Sequence, residues 1–109
     1  MYVKASPYMT TRLSDHYVHG GDSLDLHCAA MGNPRPQIRW YSNALQPSAR
    51  YTLSHTTFTS ANRSFYAEST VHIDSLEWED AGAFQCAAYN ELDTTYSTAL
   101  VRILGSSSS

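Results

Sequence analysis

The sequence predicts an all-β chain folded as two packed antiparallel sheets. Apolar and polar residues alternate in several short segments, turn-forming clusters separate those segments, and no stretch sustains a helical stripe. At 109 residues there is room for one domain around one core. Each alternating strand has one dry face and one wet face, and burying the dry faces against each other gives a sandwich.

The elements follow in order. An early strand holds His16 and His19, whose three-residue spacing puts them on opposite faces. In Ser23 to Cys28, Leu24, Leu26 and Cys28 share a core face, while Asp25 and His27 face outward. Gly32, Asn33, Pro34, Arg35 and Pro36 break that strand, after which Ile38 and Trp40 point one way and Arg39 and Tyr41 the other. Asn43 to Ser48 reads as a turn. Arg50 to Thr57 and Phe65 to Ile73 read as paired strands around a loop at Ser60 to Arg63, with Val71 and Ile73 inward and Leu76 plugging the core edge. Gly82, Phe84, Cys86 and Ala88 then point inward, with Ala83, Gln85, Ala87 and Tyr89 outward. After a turn at Asn90 to Asp93, Ala99, Val101 and Ile103 form the last inward set, and Tyr96, Thr98, Leu100 and Arg102 lie outside. The serine-rich end, 105–109, reads as an appended tail and 1–6 as an N-terminal extension, leaving 7–104 as the domain.

Composition narrows the partners. A net charge of -3 with seven scattered Lys and Arg argues against nucleic acid and anionic membranes, which need clustered cations. No apolar run approaches the roughly 18 residues of a membrane span.

Cys28 and Cys86 both fall on inward positions of different strands, so a bridge between the sheets fits, with two buried free thiols as the alternative. Such a bridge would close a long loop and contribute about 4 kcal/mol in the loop-entropy model. Neither cysteine has the close second ligand of a zinc site, and both sit on apolar faces unsuited to a catalytic thiol.

Cys28, Trp40 and the run Asp80-Ala81-Gly82-Ala83-Phe84-Gln85-Cys86 resemble the cysteine, core tryptophan and D-x-G-x-Y-x-C pattern of the immunoglobulin fold. Gly21 to Leu24, Gly32 to Pro36, Ile38 to Tyr41 and Cys86 to Asn90 are similar to its I-set subclass, found in adhesion molecules, receptors and muscle giants. The resemblance implies an immunoglobulin-like β-sandwich with one inter-sheet disulfide, in which Trp40, Asp80, Gly82 and Phe84 are the core hallmarks. Two positions depart from the pattern. Phe84 replaces the corner tyrosine and forfeits its hydroxyl bond, about 1 kcal/mol. Asp93 stands where the last turn ordinarily has glycine, and tolerates a left-handed conformation.

Candidate chemistry is sparse. The five histidines are dispersed, so no metal site is expected; His27 and His72 share an outer face, where protonation near pH 6 would tune an interface. Glu77, Glu79 and Asp80 lack the ligand spacing of a calcium loop and read as a solvated turn, with Asp80 paired to an arginine such as Arg50. No nucleophile elbow or phosphate loop occurs, so neither enzyme activity nor a cofactor is expected. Asn62-Arg63-Ser64 is an N-glycosylation acceptor in a predicted loop, and beside a disulfide it points to an extracellular protein. The expected interface is the outer face carrying Arg39, Tyr41, Gln85, Tyr89, Tyr96 and Leu100, because tyrosine and arginine dominate binding hot spots. The expected function is an extracellular protein-binding module in adhesion, receptor signalling or neuronal wiring, whose partner is a receptor, a ligand or a second copy. The alternative is a structural domain of a muscle scaffold.

Overall fold

A computed structural model of the chain describes residues 4–42, 51–59 and 65–106. Among the described residues, eight strands and one 3-10 turn follow one another: β1 (Ala5–Thr11), β2 (His16–Gly20), β3 (Leu24–Asn33), β4 (Gln37–Ser42), β5 (Tyr51–Thr59), β6 (Phe65–Ile73), the turn Trp78–Asp80, β7 (Gly82–Tyr89) and β8 (Thr94–Ser106). They form two four-stranded sheets, ordered β1-β3-β6-β5 and β2-β8-β7-β4. Pairing is antiparallel except that β2 runs parallel to β8, with His16 opposite Val101 and Val18 opposite Ile103. The N-terminal segment thus serves both sheets: β1 pairs with β3, and the chain crosses over between Thr11 and His16 to join β8. Sequence alternation suggested one early strand; β1 and the parallel pairing are additions from the structure.

The core follows the alternation. Leu24, Leu26, Val71, Ile73, Leu76, Phe84, Val101 and Ile103 are buried in one cluster, and Met9, Cys28, Ala30, Cys86 and Ala88 in a second. Trp40 packs against both while only partly buried itself. Cys28 on β3 and Cys86 on β7 are disulfide-bonded across the sheets, their Cα atoms 6.6 Å apart. In register, Cys28 lies opposite Ser69 on β6, and Cys86 lies opposite Trp40 on β4. The Trp40 Nε1–H donates to Ser69 Oγ at 2.8 Å, so a hydrogen bond spans the sheets beside the covalent link.

At one end of the sandwich, Gly32 is packed too closely for a side chain. A Cβ there would lie 3.1 Å from Pro36 Cγ, 3.2 Å from the Pro7 Cα and 3.3 Å from Asn90 Nδ2. Asn90 ties this end together, donating to the Ala5 carbonyl at 2.9 Å and the Pro34 carbonyl at 3.0 Å while its Oδ1 accepts the Leu92 N–H. At the opposite end, Gly21 N–H donates to Leu76 O and Leu76 N–H to Asp22 O, both at 2.8 Å.

Several expectations are refined. β3 runs on to Asn33, past the predicted break at Gly32. The left-handed conformation that Asp93 tolerates is not used there, for Ser75 is the only non-glycine with positive φ among the described residues. The Asp93 Oδ1 instead accepts the Thr94 N–H at 2.7 Å and its carbonyl accepts the Asn90 N–H, closing the turn through hydrogen bonds. Asp80 is buried rather than solvated: its carboxylate accepts from the Tyr51 hydroxyl, and from the Glu77 N–H at 2.8 Å. Its expected partner Arg50, the turn at Asn43 to Ser48, the loop at Ser60 to Arg63 and the sequon at Asn62 lie outside the described residues.

Candidate functional site

The outer face of the β2-β8-β7-β4 sheet is built by register. Arg39 on β4 lies opposite Ala87 on β7, which lies opposite Tyr96 on β8; one row along, Tyr41, Gln85 and Thr98 line up in the same way. On the other side of the Arg39 row stand Gln37, Tyr89 and Thr94. Tyr41, Tyr96 and Leu100 are exposed large apolar side chains, whereas Tyr89 and Gln85 are half-buried. The six residues expected at an interface therefore do share one face.

That face is not flat. Ala87, expected to point outward to solvent, is only 2% exposed. It does lie on the outer side, but its methyl is overtopped by the larger side chains on the neighbouring strands. The result is a shallow groove of about 290 Å³ with Ala87 as a lining residue among Arg39, Tyr41, Tyr89, Thr94 and Tyr96. Polar contacts hold its walls. Arg39 Nε donates to the Tyr89 hydroxyl at 3.2 Å, that hydroxyl donates to Gln37 Oε1 at 2.9 Å, and the guanidinium carbon sits 5.5 Å from the Tyr89 ring centroid. Gln85 Nε2 donates to Thr98 Oγ1 at 3.3 Å beside the groove.

Two contributors escaped the sequence reading. Tyr17, 62% exposed on β2, lies opposite Arg102 and extends the aromatic and cationic surface across β8. Nothing in the β2 segment alone signals this, since the parallel pairing that places it is a long-range contact. Thr94 lines the groove because it stands opposite Tyr89; extending the outward set Tyr96, Thr98 and Leu100 back by two residues would have put it on this face, but only the register places it beside Tyr89.

The outer face of the other sheet has a different character. His72 on β6 lies opposite Asp25 on β3; its Nδ1 contacts Asp25 Oδ1 and its Nε2 is 2.9 Å from Asp74 Oδ1. Hydrogen bonding to Asp25, then to Asp74, raises the His72 pKa above its ordinary value. His27 on the adjacent row bonds Thr70 Oγ1 through Nδ1 at 2.8 Å, with Glu68 3.5 Å from Nε2. Among the described residues no group of three or more His, Cys, Asp or Glu is arranged to hold a metal ion, and no helix is long and apolar enough to cross a membrane.

A sandwich with β1 and β2 divided between the sheets, a bridge from β3 to β7 and a tryptophan beside it agrees with what family comparison finds: the model of the immunoglobulin I-set domain matches residues 7–103. The chain belongs to the immunoglobulin I-set family. This I-set domain is 31% identical to contactin-5 of Gallus gallus over 108 residues, 97% of this chain and 9% of that protein. It is 32% identical to vascular endothelial growth factor receptor 1 of Homo sapiens over 104 residues, 94% of this chain and 7% of that protein. The domain thus spans less than a tenth of either relative. Among solved structures, the titin domains Z1Z2 in complex with telethonin match with a TM-score of 0.77 at 22% identity, covering 96% of this chain and 50% of that one, a likeness of fold.

Proposed function

We propose that this I-set domain is an extracellular recognition module that binds a protein partner, without catalysis, through the outer face of the β2-β8-β7-β4 sheet. The observation that carries the reading is the groove at Ala87, where Tyr41, Tyr89, Tyr96 and Arg39 converge. Tyrosine and arginine supply large contact area with polar tips and little entropy to lose, the usual make-up of an interface hot spot. The disulfide supports an oxidising, extracellular setting, as does similarity to proteins named contactin and growth factor receptor. Partners in adhesion, receptor signalling or neuronal wiring suit that setting. Asn62, outside the described residues, is proposed as the glycan acceptor.

The test is a binding screen of the domain against an array of extracellular receptor ectodomains, repeated with the Tyr41→Ala/Tyr89→Ala variant. Loss of a captured partner, with the variant's circular dichroism unchanged, supports the reading. Unchanged affinity in the folded double variant overturns it.

A further inference from the structure

The chain is acidic, but its carboxylates are unevenly placed. All ten Asp and Glu side chains fall within the described residues, and none is on β2, β4, β7 or β8. Those four strands carry two arginines, Arg39 and Arg102. The carboxylates bordering this sheet are engaged: Asp15 accepts the Leu100 N–H at 2.8 Å, Asp93 accepts the Thr94 N–H at 2.7 Å, and Glu91 pairs with Lys4 at 3.2 Å. The strands of the opposite sheet carry Asp25 and Glu68.

Arg39 stands out on this surface. It is exposed, has no carboxylate within ion-pair distance among the described residues, and is held in place rather than free to wander. Its Nε is committed to the Tyr89 hydroxyl, which Gln37 anchors in turn, and its plane lies near the Tyr89 ring. Tyr89 holds Nε and Tyr41 stands beside the guanidinium, and the remaining terminal N–H groups are the donors for an incoming acceptor. A carboxylate is the acceptor that matches this planar fork in charge and geometry.

We propose that the groove at Ala87 is the docking point for an aspartate or glutamate side chain of the protein partner, with Arg39 as its clamp and Tyr41, Tyr89 and Tyr96 enclosing the aliphatic part of that side chain. This deepens, and rests on, the reading of the sheet face as the interface. The orienting contacts to Tyr89 reduce the ordering cost of the bond, and the exposed setting makes it sensitive to salt.

Two small probes of the same shape and different charge test it: acetyl-glutamate amide and acetyl-glutamine amide, each titrated into the isotopically labelled domain and followed by NMR. Saturable shifts of the Arg39 Nε–H and the Ala87 methyl are expected with the glutamate probe. Binding is expected to be roughly tenfold weaker with the glutamine probe or with the Arg39→Gln variant, intermediate with Arg39→Lys, and unchanged with Arg102→Gln. Equal response to the two probes, shifts centred away from the groove, retention of binding by Arg39→Gln, or no saturable shift at all overturns the proposal. Such a failure alongside an ectodomain partner still lost in the Tyr41→Ala/Tyr89→Ala variant would remove the acidic anchor and leave the sheet-face reading standing.

Discussion

The Trp40 indole donates to the Ser69 hydroxyl across the sandwich at 2.8 Å, and the residues paired with these two in register, Cys86 and Cys28, are joined by the disulfide. Four neighbouring side chains thus bind the sheets twice at one level, once covalently and once by a directed polar bond. Ser69 is 1% exposed, so its hydroxyl has lost water and keeps the indole N–H in return. Ser69→Ala should cost about 1–2 kcal/mol in urea unfolding. Replacing both cysteines by alanine should cost about 2–5 kcal/mol. Because the two links share neighbours, the triple variant should depart from additivity, and strict additivity would show that they act independently.

His72 should report pH through its two carboxylate contacts. Both ring nitrogens face carboxylates, an arrangement that needs both to carry protons, and Thr52 opposite it on β5 brings no charge. Its pKa is raised, first by Asp25 and then by Asp74. The stabilisation is therefore fully present below the unfolded value of about 6.5 and is lost as pH rises through the folded value. NMR titration should place the His72 midpoint above that of a histidine peptide, and Asp25→Asn should lower it more than Asp74→Asn. A midpoint that neither substitution moves would dismiss the account.

Gly82 opens β7 with φ of +138°, a conformation that side chains rarely adopt, although a Cβ would meet nothing within 4 Å. Strain alone should make Gly82→Ala about 1–3 kcal/mol less stable. Gly32→Ala fails for the opposite reason, crowding against Pro36, Pro7 and Asn90, and should disturb amide shifts at that end of the sandwich instead. Comparing chemical-shift maps of the two variants separates the causes.

Asn90 holds two backbone carbonyls and one N–H from three segments. Asn90→Ala should destabilise by about 1–3 kcal/mol and speed hydrogen exchange at Leu92, whereas Asn90→Asp keeps the Leu92 bond and loses the two donations. Equal exchange at Leu92 in all three proteins would refute this division of labour.

The inward residues of β3, β6, β7 and β8 were legible because each strand buries one face, so period-two patterning carries its register directly. Cys28, Cys86, Phe84 and Val101 are buried where alternation put them. β1 and β2 were less legible: Tyr17 and Val18 sit in a segment whose partner lies over eighty residues away, and nothing local encodes a parallel pairing. At the site, the bulky residues were found from outward alternation, but the groove was not. Ala87 becomes a hollow only because Arg39 and Tyr96 flank it on separate strands, a relation between three segments rather than a property of one.

The parallel course of β2 and β8 has a mechanical corollary. His16, where β2 begins, lies beside Val101, and Ser106, where β8 ends, lies beside Gly20. Drawing the two ends of the domain apart slides these strands lengthwise past each other, so their ladder of bonds is strained together in shear instead of unzipping one rung after another. Load entering through β1 reaches β2 before it can open the second sheet, so tension along the chain is borne across this seam as well as by the pairing of β1 with β3.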